Sequence, residues 1–299
     1  MNTVTPLLQR YLLDHLLMNR VTCIPALDLL ALLPDASVDL LLCDLPYAVT
    51  ACEWDSIIPL APMWEQFKRV IKPKGAIVLT ATQPFTSMLV ASNPAMFKYS
   101  WVWVKSRATD FVRAKLKPMG QHEDVLVFSH ASVANGAREL VNYYPQGLRR
   151  VNRVEKNHAN TGGDGLRGGR GFLGRNGSNL GANNKLHNPT YIQEYEGYPS
   201  TVLNFDSEID TVHPTQKPVS LFEYLIKTYT QEGDLVLDPT CGSGTTAVAA
   251  RNTKRRFVCG DLSPDYVLIS RDRLRLPFER RHAPQSDDLS DLPMFAGVA

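Results

Sequence analysis

Four consecutive residues, Asp44-Leu45-Pro46-Tyr47, combine groups that can act on an amine. The Asp44 carboxylate and the Leu45 carbonyl can both accept hydrogen bonds from an NH2 group, which directs the nitrogen lone pair towards an electrophile. Pro46 restricts Leu45 to an extended conformation, and the Tyr47 ring can stack on a base, an interaction worth about 1 to 3 kcal/mol. The tetrapeptide therefore suits a reaction at a base that has rotated out of its duplex. A capped strand end beside a core tyrosine is the alternative that four residues leave open.

A glycine-rich turn lies near the other end of the sequence, in DLVLDPTCGSGTTAVAA. A strand that ends at Asp238 passes through Gly242 and Gly244 directly into a helix, so a nucleoside-like ligand can approach the backbone at the helix N-terminus. Asp261 follows about 20 residues later, where an acidic side chain typically accepts ribose hydroxyls. A P-loop is disfavoured because no Gly-Lys-Ser/Thr closes the turn, and a dinucleotide site because such motifs usually open a chain. A plain tight turn, with Asp261 as a helix cap, is the alternative.

Strands and helices must alternate to position these residues. Short apolar runs predict strands over residues 38–43, 76–81, 99–105, 123–129, 234–238 and 256–260. Apolar residues at helical spacing predict helices over residues 6–20, 26–33, 63–71, 219–229, 245–252 and 264–274. This alternation favours a doubly wound α/β sheet, with Asp44, Asp238 and Asp261 at strand ends.

Composition limits the classes of protein that remain. The 299 residues are 44% hydrophobic, enough for one α/β core with a smaller added module, and the net charge of +2 means that nucleic-acid binding requires local basic clusters. Five cysteines without a Cys-x-x-Cys pair, no leader-like start and no membrane-length apolar run predict a cytoplasmic protein without a membrane anchor. His122 and His213 lack the clustered ligands of a metal site. Arg271, Arg273 and Arg275 are expected on a solvated helix face.

Three motifs together resemble those of amino-methyltransferases that act on DNA. DLPY is similar to their Asp-Pro-Pro-Tyr motif, DPTCGSGTT to their cofactor turn and HPTQKP to a third motif ahead of that turn. Their order resembles the β class of these enzymes, and the similarity covers residues 21–130 and 213–275. The resemblance implies a doubly wound, mostly parallel, seven-stranded Rossmann-like methyltransferase sheet with an inserted target recognition region. It also implies S-adenosyl-L-methionine as the cofactor.

The resemblance gives the first motif the catalytic role. Asp44 and the Leu45 carbonyl would hold the target amine, Pro46 would fix that carbonyl, and Tyr47 would stack on the base. Leu45 stands where the family usually has a first Pro, which spares the carbonyl but loosens a backbone restraint.

The other two motifs would bind the cofactor. Asp261 would hold its ribose, and Thr215 and Lys217 would complete its pocket. Thr240 replaces a common Phe, which puts one packing contact in doubt. The residues expected to cradle the methionine and sulfonium end are Asp238, Pro239, Thr240, Cys241, Gly242, Ser243, Gly244 and Thr245.

Residues 131–212 differ from the rest because Asn, Gly and Arg replace apolar periodicity. Between Pro145 and Thr190 there are eight basic residues against two acidic ones. We expect this segment to recognise the target, with Arg149, Arg150 and Arg153 neutralising phosphates; a solvated loop without contacts is the alternative. The predicted organisation is a catalytic half over 1–130, a target recognition region over 131–212, a cofactor-binding half over 213–281 and a disordered tail over 282–299.

Several functions share these motifs. An Asp at the first motif position favours adenine-N6 over cytosine-N4, where Ser is commoner. A catalytically silent DNA-binding regulator is a further alternative, although the intact Asp44, Tyr47 and glycine turn argue against it. Methylation at a cytosine carbon is set aside because none of the five cysteines follows a proline, whereas RNA substrates stay open. The expected partner is double-stranded DNA at a specific site, as in restriction–modification, and a homodimer is one expected assembly because such enzymes often dimerise.

Overall fold

Strands form where the sequence has short apolar runs, and helices where apolar residues recur every three or four positions. The computed structural model describes residues 5–46, 58–156, 190–207 and 216–274. The helices are α1 (Pro6–Leu12, continued by a π-helical turn over Leu13–Leu17), α2 (Ala26–Ala31), α3 (Leu60–Val70), α4 (Phe85–Ser92), α5 (Val219–Tyr229), α6 (Thr245–Asn252) and α7 (Pro264–Arg273). The strands are β1 (Arg20–Cys23), β2 (Val38–Asp44), β3 (Ile71–Ala81), β4 (Phe97–Thr109), β5 (Gly120–Phe128), β6 (Arg149–Lys156), β7 (Thr190–Glu196), β8 (Val202–Asn204), β9 (Leu235–Asp238) and β10 (Arg256–Asp261).

Eight of these strands form one sheet in the order β1-β10-β9-β2-β3-β5-β4-β8. The neighbours from β1 to β3 are parallel, β5 is antiparallel to β3 and β4, and β8 is parallel to β4. The predicted doubly wound, mostly parallel fold is confirmed, but the expected count of seven strands is corrected to eight. The additional strand, β8, has three residues at the sheet edge, too few to show an alternating pattern in the sequence.

Helices cover both faces of the sheet. One face packs against α1 to α4 through buried side chains such as Phe67 and Leu89. The other packs against α5, α6 and α7 through Phe222 and Val267. Each such side chain contributes about 1.5 to 3 kcal/mol by leaving water, so the sheet is held between two apolar layers.

Strands β2 and β9 lie side by side, but the chain leaves them in opposite directions. The strand after β2 is β3, on one side, and the strand after β9 is β10, on the other. Ligands of doubly wound proteins bind at such a switch point, beyond the carboxyl ends of the strands. Asp44, Asp238 and Asp261 are the last residues of β2, β9 and β10, so three carboxyl groups meet at this edge.

The chain divides into two compact units. The larger contains the described parts of Met1–Gln146 and Ser200–Ala299, and the smaller is Gly147–Pro199. In the smaller unit, β6 pairs antiparallel with β7. Their sequences, RRVNRVEK and TYIQEYE, expose most of their described side chains, so no buried face announces these strands in the sequence.

The first helix is shorter than its sequence predicts. The leucine spacing predicts a helix over residues 6–20, but helical structure ends at Leu17. Asn19 has a φ of +57°, its N–H donates to the Phe257 carbonyl at 2.7 Å, and its side-chain oxygen accepts from the Phe257 N–H at 3.1 Å. These tertiary bonds turn the chain into β1. Across the described residues, no helix combines the length and apolarity needed to cross a membrane.

Candidate active site

Asp44, at the end of β2, is held by side chains from three other parts of the chain. The Thr80 hydroxyl, on β3, donates to Oδ1 of Asp44. The Lys217 ammonium donates to Oδ2 at 2.7 Å, and the Thr240 hydroxyl donates to the backbone carbonyl of Asp44 at 3.3 Å. The Asp44 side chain is still 24% exposed. It is therefore fixed in orientation and accessible to a substrate.

Lys217 continues a chain of charges behind Asp44. Its side chain is only 6% exposed, and its Nζ lies 3.2 Å from Oε2 of buried Glu123. Oε1 of Glu123 lies 2.6 Å from Nζ of Lys105. The four groups alternate in sign, which offsets the cost of burying Lys217 and Glu123.

The alternating charges shift the pKa values of the buried members. Burial alone would lower the pKa of Lys217, but the charges of Asp44 and Glu123 outweigh it and hold that pKa above its ordinary value. Burial would raise the pKa of Glu123, but Lys217 and Lys105 hold it below its ordinary value. Both groups are therefore ionised at neutral pH.

The glycine turn between β9 and α6 is held against the end of β10. The N–H of Cys241 donates to the Gly260 carbonyl at 2.9 Å. Gly244 has a φ of +81°, and a Cβ there would lie 2.7 Å from Cβ and Oγ of Ser270 on α7. A side chain at Gly244 is excluded by both its conformation and this neighbour. The turn thus presents backbone at the start of α6.

The carboxyl groups of the turn are bound by amides and hydroxyls. Asp238 accepts from the Thr240 N–H at 3.0 Å and from the Thr246 hydroxyl, and burial raises its pKa to about 8. Asp261 accepts from the N–H groups of Gly242 at 2.7 Å and Ser263 at 2.9 Å. Burial raises the pKa of Asp261 as well, although its side chain keeps partial exposure.

Two arginines of α7 correct the expectation of a solvated helix face. Arg273 donates to the carbonyl of Ser243 at 2.7 Å and to its hydroxyl at 3.0 Å, which ties the end of α7 to the glycine turn. Arg271 donates to the Val21 carbonyl at 2.9 Å. The expectation is wrong because backbone acceptors from distant segments lie within reach of these side chains. Arg275 lies outside the described residues.

Those of the predicted catalytic and cofactor residues that the structure describes come together at this edge. Leu45 is buried directly after β2, with Pro46 next to it. Tyr47 and Thr215 lie outside the described residues. Lys217 contacts the carboxylate of Asp44, a contact that the sequence did not indicate. The turn residues Asp238, Pro239, Thr240, Cys241, Gly242, Ser243, Gly244 and Thr245 occupy one continuous segment from the end of β9 to the first residue of α6.

The predicted phosphate-binding arginines lie on β6, in the smaller unit. Arg149 lies 3.0 Å from one carboxylate oxygen of Glu196, and Arg153 lies 3.7 Å from the other. Arg150 donates to the Asn152 side chain at 3.4 Å. Arg149 and Arg153 are well exposed, so a shared bond to Glu196 orders them without removing them from solvent.

Sequence reasoning missed Thr80, Lys105 and Glu123. A usable signal existed for Glu123, because in HEDVLVF it lies two residues before Val125, on the same face of the strand as that buried residue. Thr80 is a polar residue near the end of a strand beside the motif strand, which is where substrate-contacting side chains are found. Lys105 carried no local signal.

The sequence is similar to known proteins over most of its length. The family described as DNA methylase, of the N6/N4 class, matches residues 38–272. A type II methyltransferase of Haemophilus parainfluenzae, M.HpaI, is 24% identical over 292 residues, which cover 91% of this chain and 81% of that protein.

Two solved structures share the fold. The M1.HpyAVI–SAM complex aligns with a TM-score of 0.52 at 18% identity, covering 86% of this chain and 99% of that one. The cytosine-N4-specific PvuII DNA methyltransferase aligns with a TM-score of 0.58 at 15% identity, covering 88% and 87%.

Proposed function

The chain belongs to the DNA methylase family of N6 and N4 amino-methyltransferases, and we propose that it methylates the N6 amine of adenine at specific sites in double-stranded DNA. The observation that carries this proposal is the Asp44 carboxylate. It is oriented by Thr80 and Lys217, partly exposed, and located at the switch point of the sheet beside the glycine turn.

The glycine turn fits S-adenosylmethionine, the proposed cofactor. The space that a Cβ at Gly244 would need is filled by Ser270 of α7, so glycine lets the turn pack against α7 and lead directly into the N-terminus of α6, where nucleoside-like ligands bind in doubly wound folds. Asp261 keeps partial exposure and offers carboxylate oxygens to hydroxyl donors such as those of a ribose. When bound, the cofactor supplies a methyl group on a positively charged sulfur. Asp238 to Thr245 would hold its methionine end.

The protein's own groups would prepare the amine. Asp44 and the Leu45 carbonyl would each accept one N–H of the amine, which turns the nitrogen lone pair towards the methyl group. With the amine held in this way, its nitrogen would be placed to take the methyl group that the cofactor would supply, and one of its two protons would pass to solvent during or after transfer. No covalent bond to the enzyme is needed, so orientation by Asp44 supplies most of the protein's contribution.

Adenine is preferred because Asp44 stands where cytosine-N4 enzymes more often have Ser. Cytosine-N4 is the alternative. The PvuII enzyme is cytosine-specific and has a similar fold, but discrimination depends on the shape of the base pocket rather than on the fold. The proposal includes action in the cytoplasm. It also includes a homodimer as the assembly, which light scattering would measure.

Methyl transfer itself tests the proposal. Unmethylated genomic DNA is incubated with the protein and S-adenosylmethionine, digested to nucleosides and resolved by mass spectrometry. We expect N6-methyl-2′-deoxyadenosine, and only trace amounts with the variant Asp44→Ala. N4-methyl-2′-deoxycytidine without N6-methyl-2′-deoxyadenosine would overturn the adenine assignment alone. Cofactor binding without any transfer would favour a silent DNA-binding regulator.

Target recognition is assigned to the insertion, centred on the unit Gly147–Pro199. Replacing Arg149, Arg150 and Arg153 with Ala should lower DNA affinity and flatten its log–log salt dependence by about 0.9 for each phosphate that is no longer neutralised. Cofactor affinity, measured by calorimetry, should not change. An unaltered salt slope would favour a solvated loop.

A further inference from the structure

A hairpin joins β4 to β5, and its tip, residues 110–119, exposes three large apolar side chains. Phe111 is 80% exposed, Val112 95% and Leu116 84%. Apolar groups this exposed and this close together are a mark of an interaction surface rather than of a solvated loop.

The hairpin tip is internally ordered. Asp110 has a left-handed φ of +74°, and its carboxylate binds Arg113 at 2.8 Å and Lys117 at 2.7 Å. A short helical turn follows, in which the Ala114 N–H donates to the Phe111 carbonyl at 3.0 Å. The apolar side chains are thus presented by a preformed turn, which reduces the ordering cost of binding.

The tip and the strand leading to it are strongly basic. Arg107, Arg113, Lys115 and Lys117 are exposed, while Asp110 is the one acidic residue from 105 to 120. Within the described part of the chain, no ion pair involves Arg107 or Lys115. These cations suit an anionic partner.

The tip projects from the catalytic edge of the sheet. β5 is antiparallel to β3, with Asp124 opposite Ala81 at the end of β3, so the residues before Asp124 extend beyond the edge where β2 ends. Glu123 is linked through Lys217 to Asp44. Four residue steps lead from Glu123 to Met119, the nearest residue of the tip, roughly 13 Å at about 3.3 Å each. That distance spans about four base steps of a duplex.

We propose that the hairpin tip is a DNA-contacting element, in which Phe111, Val112 and Leu116 pack against bases beside the flipped target while Arg107 and Lys115 contact phosphates. The proposal rests on the proposed function, which brings a duplex to this edge. Side chains that fill or unstack a base step are a known means of stabilising distorted DNA. A second copy of the chain is a poorer occupant, because a two-fold contact would oppose two basic tips.

Two variants of the full chain test this element. The first replaces Phe111, Val112 and Leu116 with Ser, and the second replaces Arg107 and Lys115 with Ala. The matched controls are Leu7→Ser, at an equally exposed leucine of α1, and Lys254→Ala, an exposed lysine just before β10, towards the opposite edge of the sheet. Affinity for a mixed-sequence duplex is followed by fluorescence anisotropy at several salt concentrations, and the KM for unmethylated DNA by methyl transfer.

The apolar variant should weaken binding and raise the KM for DNA about tenfold, the effect of removing one good stacking partner of a base. The charge variant should lower the log–log salt slope by about 1.8, or 0.9 for each phosphate. Both should keep the melting temperature and the affinity for S-adenosylmethionine. DNA affinity, salt slope and KM equal to those of the controls would overturn the proposal.

Two further results separate this proposal from others. If the unaltered protein transfers no methyl group, the proposed function fails, and the anisotropy comparison still decides whether the tip binds DNA. Light scattering could also show that the unaltered protein is an oligomer and that the Ser variant is a monomer. If DNA affinity is then unchanged, the tip is a subunit interface and the proposal is wrong.

Discussion

The neighbouring strands β2 and β9 end in carboxyl groups with opposite kinds of partner, a charged one for Asp44 and uncharged ones for Asp238. Asp44, on β2, lies 2.7 Å from a buried ammonium that is itself balanced by Glu123. Asp238, on β9, is fully buried, and no ion pair among the described residues reaches it. Its partners are a hydroxyl and an amide, and its pKa rises to about 8.

The difference separates two tasks at one edge of the sheet. A carboxylate that must accept hydrogen bonds from a substrate benefits from a fixed cation behind it and solvent in front. A fully buried carboxyl group whose protein partners are an amide and a hydroxyl is better neutral, because burying an unpaired charge is costly. An ion pair is thus found at the strand end proposed to be catalytic, and hydrogen bonds to uncharged groups at the strand end proposed to bind the cofactor.

Replacing Asp44 should have the largest effect. Asp44→Ala should reduce methyl transfer about 10³-fold, the loss expected for a group that orients the reacting atom. The affinity for S-adenosylmethionine should stay within about twofold, because the glycine turn belongs to the other strand end. Tritium transfer and calorimetry measure the two quantities, with the exposed Asp35→Ala as control. Substantial methyl transfer by the Asp44 variant would show that Asp44 is not catalytic, and the contrast in role between Asp44 and Asp238 would be wrong.

Removing the buried cation tests whether the charges act as a unit. Lys217→Met leaves Glu123 and Asp44 without their shared partner and should lower the free energy of unfolding by about 3 to 5 kcal/mol. Lys254→Met removes an exposed pair with Glu232 and should cost less than about 1 kcal/mol. Denaturant unfolding measures the free energy of unfolding of both variants. Equal losses would contradict the view that Asp44, Lys217 and Glu123 stabilise the fold as a unit.

The neutral strand end makes a prediction about pH. Unfolded Asp238 releases its proton near its ordinary pKa, 3.8, but folded Asp238 holds the proton to about pH 8. Its contribution to stability is therefore fully present below pH 3.8 and is lost as pH rises through 8. Asp238→Asn, which imitates the protonated group, should remove about 2 to 4 kcal/mol of the loss in unfolding free energy between pH 5 and pH 8. An unchanged pH dependence would show that Asp238 is ionised in the fold.

Replacing Asp261, at the end of β10, should have the smallest effect of these variants. Asp261→Ala should weaken S-adenosylmethionine binding by about 1.5 to 3 kcal/mol, the worth of a hydrogen bond to a charged group. Transfer at saturating cofactor should be nearly normal, unlike that of the Asp44 variant. The control Asp265→Ala lies four residues further on and is exposed. A fall in the maximal rate with unchanged cofactor affinity would show that Asp261 acts in methyl transfer and does not bind the cofactor.

The sequence was informative where local pattern decides structure. The segment Val38 to Cys43 is apolar except for Asp39, and this pattern predicted a buried strand that ends at Asp44. The glycines before Thr245 predicted the turn and the start of α6. The contact between Lys217 and Glu123 could not be predicted, because it depends on how β5 packs beside a segment 94 positions later. Arg273 was misplaced for the same reason, since its acceptor at Ser243 lies 30 positions away.

The segment inserted between the two halves enters and leaves at one point. Gly147 and Gly197 both have a positive φ, and a Cβ at Gly197 would lie 2.7 Å from the Gly147 carbonyl oxygen. Arg149 and Glu196 pair just inside this junction. Because entry and exit adjoin, everything between them can be exchanged by recombination as a single cassette without stretching the flanking chain. A segment of different length or sequence can therefore stand here without altering the strands that carry Asp44 and Asp238.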